Sequence, residues 1–409
     1  MNYKRLGDYI IEKVEFNEGN KYDLLLGVSN NKYFQKAKTN TIGVDLSKYR
    51  VAHHNQFVFN RATTRNGDKI SIALRKGETC IVSPSYRIFE VADENILNPD
   101  YLLMWFKRPE FDRYARFKSH GSAHEFFDMD EMNDVELPIP SIEKQREIVA
   151  QYEAVANKIK VNEAICEKLE ATAQALYKHW FVDFEFPNKE GQPYKSSGGA
   201  MVYNEELEKE IPEGWEVKSL SDISKQICVG FVGSIYDDYC EKNIGIPLIR
   251  TTDLNLSGID YSNLKYVSKE FHNKNKKSQL TKGDILVARH GSNGMPSIFN
   301  LETEANCLNV IIIKPNQKIA NSKLLYCFLT SKNSINQIEN SVSGSVQDVL
   351  NTKSISDMKI CFPNNESISI KLGIKLNDIE GFKTLKTFEN QNLTQLQSLL
   401  LSRLATLEG

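Results

Sequence analysis

Gly121-Ser122-Ala123-His124-Glu125 returns later in the chain as Gly344-Ser345-Val346-Gln347-Asp348. At the same offset Asp134-Val135-Glu136-Leu137 returns as Asp357-Met358-Lys359-Ile360, and Pro140 as Pro363. Working outward, Phe57-Val58-Phe59-Asn60-Arg61 lines up with Ile285-Leu286-Val287-Ala288-Arg289. Leu102, Leu103 and Phe106 line up with Leu324, Leu325 and Phe328, and Leu6 and Asp8 with Leu220 and Asp222. The offset drifts by a few residues between these blocks, as it does when connections change length on a retained scaffold. The chain is therefore a duplication, and it implies a molecule with internal two-fold symmetry that reads its ligand in two halves.

Each repeat has the marks of a compact mixed α/β module. Gln56–Asn60 and Cys80–Val82 are short apolar runs between turn residues, which predicts strands. Asn98-Pro99 opens a helix, with Asn as N-cap and Pro in the first turn. In the second repeat the strands are expected at Ile246–Ile249 leading into Arg250, at Asp284–Ala288 and at Asn309–Ile313.

Behind the first module the pattern changes. Ile148, Tyr152, Val155, Ile159, Asn162, Cys166, Leu169, Ala173, Leu176 and Trp180 step by four and three in alternation. That is a heptad seam with one polar break, Asn162, of the kind that sets register. No Gly or Pro interrupts it, so a helix of about 40 residues, roughly 60 Å long, is expected. Its seam requires a second helix. From Leu376 the apolar residues again recur at three and four, and Ile379, Phe382, Leu396 and Leu400 are assigned to the matching seam. Ile368, Ile370, Leu372 and Ile374 alternate as in a strand, which leaves the start of that helix open. The organisation read from the chain is a first module at 1–140, a long helix at 141–186, a linker or exposed loop at 187–214, a second module at 215–363 and a second long helix at 364–409. The fold class is α+β, with two similar mixed modules joined and spaced by two long antiparallel, coiled-coil-like helices in pseudo-two-fold arrangement.

The bulk properties exclude several classes. Of 409 residues, 41% are hydrophobic and 25% charged, ordinary for a globular chain. No run of about 18 apolar residues offers a membrane span. Seven scattered cysteines without a Cys-x-x-Cys pair suit a reducing cytoplasm and fit neither a disulfide framework nor a zinc site. The net charge of −2 hides clustering. Between residues 32 and 76 stand Lys32, Lys36, Lys38, Lys48, Arg50, Arg61, Arg65, Lys69, Arg75 and Lys76, against Asp45 and Asp68 alone. In the second repeat Lys265, Lys269, Lys274, Lys276, Lys277, Lys282 and Arg289 face only Glu270 and Asp284. Two basic windows in matching places point to phosphate and base-edge contacts.

Catalytic signals fail on inspection. Asn98-Pro99-Asp100-Tyr101 approaches the loop of amino-methyltransferases that holds a flipped base, but Asp stands where Pro is needed and no Gly-rich cofactor loop follows a strand. Pro99-Asp100 and Glu216-Val217-Lys218 lie in different modules and make no nuclease triad. No phosphate-binding Gly-x-x-x-x-Gly-Lys loop exists. His53 and His54 are neighbours, which on a strand face opposite ways. The reading is a recognition protein and not an enzyme.

Ile211-Pro212-Glu213-Gly214-Trp215-Glu216-Val217-Lys218-Ser219-Leu220-Ser221-Asp222-Ile223 resembles the entry of the second recognition domain in specificity (S) subunits of Type I restriction–modification systems. Lys282–Gly291 is similar to the central strand and loop of that domain, and Gly344-Ser345-Val346-Gln347 with Ile360–Pro363 to its exit. The first module departs by lacking the Pro-x-Gly-Trp entry and by carrying His124 where the second has Gln347. The resemblance implies two target-recognition domains, each reading one half of a split, asymmetric double-stranded DNA target. It implies helices that fix the spacer and dock two modification (methyltransferase) subunits, with restriction (translocase and endonuclease) subunits joining them. S-adenosylmethionine, ATP and Mg are then expected only in those partners, with no cofactor, metal or catalytic residue in this chain.

On this reading the DNA-contacting candidates are Lys36, Lys38, Arg61, Thr63, Thr64 and Arg65 in the first module. In the second they are Arg250, Thr251, Thr252, Lys276, Lys277, Arg289, His290, Ser292 and Asn293. Arginine pairs bidentately with guanine and asparagine with adenine, whereas lysines more often hold phosphates. Arg61 and Arg289 stand out because they occupy one place in both copies, though a scaffold role such as an ion pair would also explain that. The alternative function is a non-catalytic adaptor that joins partners through its helix pair.

Overall fold

The computed structural model describes residues 3–37, 43–62, 69–120, 125–255, 258–289, 295–342 and 350–406. The chain forms two compact units, Met1–Glu163 with Phe388–Gly409, and Ala164–Thr387.

In the first unit four antiparallel strands lie in the order Ile10–Lys13, Tyr86–Val91, Phe57–Asn60, Ile72–Leu74. The central strands are apolar on both faces because each face has its own core. Phe57, Phe59 and Phe89 point to a cluster with Leu102, Phe106 and Leu137. Val58, Ala73 and Ile88 point to another with Val28, Cys80 and Val82. Phe57 stacks on Phe89 at 4.9 Å between centroids and meets Phe106 edge-on at 5.5 Å. Burial of each such ring contributes about 1.5–3 kcal/mol. The helix Pro99–Phe106 starts where predicted, with the Asn98 side chain accepting from the N–H groups of Asp100 and Tyr101.

The second unit repeats this frame with Ser224–Val229, Val310–Pro315, Ile285–Ala288 and Pro296–Ile298 in the corresponding order. It adds a second four-stranded sheet, Lys265–Val267, Ile246–Arg250, Ala305–Leu308 and Gln279–Leu280, in which the middle two strands are parallel. In both units an exit strand pairs with the entry strand: Glu136–Pro138 with Tyr3–Arg5, and Lys359–Pro363 with Trp215–Ser219. The repeat needs one correction. The helix of the second unit, Ser322–Leu329, is capped by Asn321. Matching the caps pairs Leu102 with Leu325 and the half-buried Leu103 with Tyr326, one residue later than apolar identity alone indicates. The cap, and not the run of leucines, fixes which turn faces the sheet.

The long helices run Ile142–Phe181 and Glu366–Arg403. The alternating stretch Ile368–Ile374 is helical: Pro363 ends the exit strand and Asn365 accepts from the N–H of Ser367 at the helix start. Residues 187–214 are more ordered than their Pro, Gly and Ser content implied. They carry the hairpin Met201–Asn204/Lys209–Pro212, and Phe186 is sandwiched against Tyr194 and Trp215 at 4.6 and 5.2 Å.

Within each unit the two helices pair. Ile148 is buried, and Tyr152, Val155, Ile159, Leu169 and Leu176 are partly buried, with Trp180 buried at the end. Opposite them the inward stripe of the second helix is Leu376, Ile379, Lys383, Lys386, Asn390, Leu393, Gln397, Leu400 and Leu404. Phe382 and Leu396, assigned to the seam from sequence, instead point outward with 62% and 42% of their surface exposed. The seam keeps its three-and-four spacing through polar residues, so apolar identity marked the wrong face there.

Candidate nucleic-acid interface

Arg61 directly follows the central strand Phe57–Asn60. Its carbonyl accepts from the N–H of Phe127 at 2.9 Å, and its Nη1 donates to Asp128 Oδ2 at 3.0 Å while the guanidinium lies over the Phe126 ring. Arg87, on the neighbouring strand, donates to both oxygens of the same carboxylate. Asp128 also caps the short helix Met129–Asn133, and its own N–H donates to Glu131 in a capping box. Partial burial opposes the carboxylate, but hydrogen bonds from Arg87, Arg61 and the Met129 N–H outweigh it and hold Asp128 down to about 2.

The second unit reaches the same backbone arrangement with different chemistry. The Arg289 carbonyl accepts from Leu350 N–H, as that of Arg61 does from Phe127. Arg289 Nη1 donates to Asn309 Oδ1 at 2.9 Å and Nε to the Leu350 carbonyl at 3.4 Å. Thr251 Oγ1 donates to the Asn309 carbonyl at 3.0 Å. Asn309, in the left-handed region at φ 55°, thus joins the ends of two strands and brings Thr251 and Arg289 together. Thr252 beside them is exposed. Arg250 is turned inward: Nε and Nη2 donate to Asp253 at 3.0 and 2.6 Å, a fork that raises its pKa through the Asp253 hydrogen bond.

The lysines divide. Lys36, Lys48 and Lys69 are exposed, as are Lys265, Lys269, Lys274, Lys276 and Lys277. Lys32 and Arg50 are buried. Lys32 Nζ donates to the Ile70 carbonyl and to Asp112, whose Oδ1 also accepts from Ile70 N–H. Burial lowers the Lys32 pKa against the pull of Asp112. Arg75 and Lys76 are engaged with Glu78 and Asp100. The first basic window therefore offers solvent fewer charges than its composition indicates. The turn Lys276–Ser278 is held from beneath by a buried polar set absent from the sequence reading. Ser278 donates to Asn306 Oδ1, Asn306 Nδ2 bonds His272 Nδ1 at 3.0 Å, and Gln279 donates to the His272 carbonyl. Lys38, Thr63, Thr64, Arg65, His290, Ser292 and Asn293 lie outside the described residues. Asp128, Arg87 and Asn309 went unnoticed in the sequence because their partners are distant in the chain, whereas Asp253 stands only three residues after Arg250 and was open to a local reading.

Among the described residues no group of three or more His, Cys, Asp or Glu is placed to hold a metal, and no helix is long and apolar enough to cross a membrane.

The profile of the Type I restriction modification DNA specificity domain matches residues 4–171 and again 212–400. The chain belongs to this family. The two matches reproduce the internal duplication. It is 30% identical over 272 residues to the MjaIX specificity subunit of Methanocaldococcus jannaschii, covering 64% of this chain and 58% of that protein. It is 24% identical over 388 residues to the HindI specificity subunit of Haemophilus influenzae, covering 79% and 80%. The crystal structure of the S subunit from M. genitalium shares the fold with a TM-score of 0.55 at 14% identity, over 99% of this chain and 96% of that one.

Proposed function

We propose that this S-family chain reads a bipartite, asymmetric DNA target, one half with each module. The observation that carries this is the repeated sheet frame whose strand ends differ: Arg61, Asp128 and Arg87 in one copy, Arg289, Asn309 and Thr251 in the other. Equal frames with unlike edges suit two unlike half-sites. Lys36, Lys276 and Lys277 hold phosphates, and Thr251 and Thr252 approach base edges.

The long helices set the spacer and dock two modification subunits, to which restriction subunits add. The support is an apolar stripe left outward on the second helix, Ile370, Ile374, Phe382 and Leu385 in one unit and Phe388, Leu396 and Leu399 in the other. A surface of this kind marks a protein contact. S-adenosylmethionine, ATP and Mg chemistry falls to those partners.

Adenine-methylation mapping of genomic DNA from cells expressing this chain with its candidate modification subunit tests the reading. A new split motif of two unlike halves around a fixed spacer is expected. No new motif, with the partner folded and bound, would leave the adaptor reading, which the same apolar stripe favours. An adaptor shows no salt-dependent DNA binding.

A further inference from the structure

We propose that Asp128 and Arg61 are positioning residues for half-site recognition: their ion pair ties the end of the central strand to the cap of the helix Met129–Asn133, and neither side chain contacts a base. This rests on the DNA-reading function above. The guanidinium of Arg61 is occupied by the carboxylate on one side and the Phe126 ring on the other. Asp128 is fully used as well, by Arg61, by Arg87 and by the helix N-terminus. Both oxygens of the carboxylate are taken by these donors and its charge repels phosphate, so its position is explained by what it holds.

The second unit supplies an internal control. There Arg289 ties the strand end to the segment before the helix Thr352–Ser356 through the Leu350 carbonyl in place of a carboxylate, while its Nη1 goes to the Asn309 amide between two strands. Asn351 caps that helix where Asp128 caps the first. The tie recurs while its charge does not. What the two copies share is the backbone bond that fixes residue 61 or 289 against residue 127 or 350, and so the end of the central strand.

The test uses the complex of this chain with its modification subunit and duplexes carrying the mapped target, or the target with one half altered. Asp128→Asn removes the charge but keeps a competent helix cap. The expected result is that D128N and R61A each lower discrimination at the same half-site by at least about tenfold. The double variant loses no more than either single one. Discrimination at the other half-site and the slope of affinity against salt stay at wild-type values. D128N binding as selectively as wild type, with R61A reducing the salt slope by about 0.9, would make Arg61 a phosphate contact and overturn the proposal. Equal loss at both half-sites with a lowered melting temperature would also overturn it, as the pair would then be merely structural. Absence of selective binding by the wild-type complex would instead defeat the underlying function.

Discussion

Asn162 donates through Nδ2 to Asn390 Oδ1 at 2.8 Å across the helix pair, and Asn390 returns a bond to the Ile159 carbonyl at 3.2 Å. Asn162 is completely buried, and its own Oδ1 has no hydrogen-bond partner among the described residues. Two amides facing each other in an apolar seam oppose only one another in one register. Asn162→Leu is expected to cost about 1–3 kcal/mol, because it strands the Asn390 oxygen. The double variant N162L/N390L should recover most of that stability. Urea unfolding of the three proteins checks this, and additive losses would exclude a coupled pair.

Lys323 holds the helix Ser322–Leu329 to both long helices within the second unit. Its ammonium lies 2.9 Å from Glu170 and 2.9 Å from Glu380, with only 3% of the side chain exposed, and Lys383 completes the set on Glu170 at 2.7 Å. Burial works against the charge, yet Glu380 and Glu170 outweigh it and raise the Lys323 pKa. Lys323→Met leaves two carboxylates without their shared cation and should destabilise the chain by about 3–5 kcal/mol. Burial opposes the Glu170 carboxylate too, but Lys323 and Lys383 lower its pKa. Its contribution is present above the ordinary glutamate value and disappears as pH falls through the lowered one. The deficit of K323M against wild type should therefore narrow in acid, and thermal melts over a pH series would show it.

Much of this fold was legible because local chemistry and the repeat agreed. The Asn98 cap, the central strands and the long helix from Ile142 each follow from a few adjacent residues. Lys32 was not legible: its partner Asp112 stands 80 residues away, and a lone lysine in a basic window looks solvated. The inner face of the second long helix escaped for a different reason. Its heptad runs through Lys383, Asn390 and Gln397, while Phe382 and Leu385, which composition would bury, lie outside. An outward apolar stripe carries the same signal as a core, and one chain's sequence does not distinguish them.

The Asp128 carboxylate gives a pH signature of its own. With its folded pKa lowered to about 2, it contributes stability fully present above the ordinary aspartate value near ~3.9 and lost as pH falls from there towards the folded value. Asp128→Asn should flatten the stability profile of the chain in that interval and leave it parallel to wild type above about pH 5. Acid titration followed by tryptophan fluorescence, which includes buried Trp105 of the first unit, would report it. Superimposable acid limbs would show that the clamp is not formed in solution.

Arg250 and the pair Lys276 and Lys277 should behave oppositely although all three are cations of the second module. The lysines are exposed on a turn whose shape is held by Ser278, Asn306 and His272. Replacing either by alanine should leave stability unchanged and weaken DNA binding for every sequence alike, flattening the slope of log affinity against log salt by about 0.9 per phosphate lost. Arg250→Ala removes both side-chain hydrogen bonds from the buried carboxylate of Asp253 and leaves it, among the described residues, the N–H of residue 250. It should cost about 1.5–3 kcal/mol of stability, and its effect on DNA binding should follow from that loss. Filter binding across a salt series, run beside thermal melts of the three variants, separates the two cases. A salt slope reduced in R250A with an unchanged melting temperature would mean that Asp253 releases the guanidinium to the DNA.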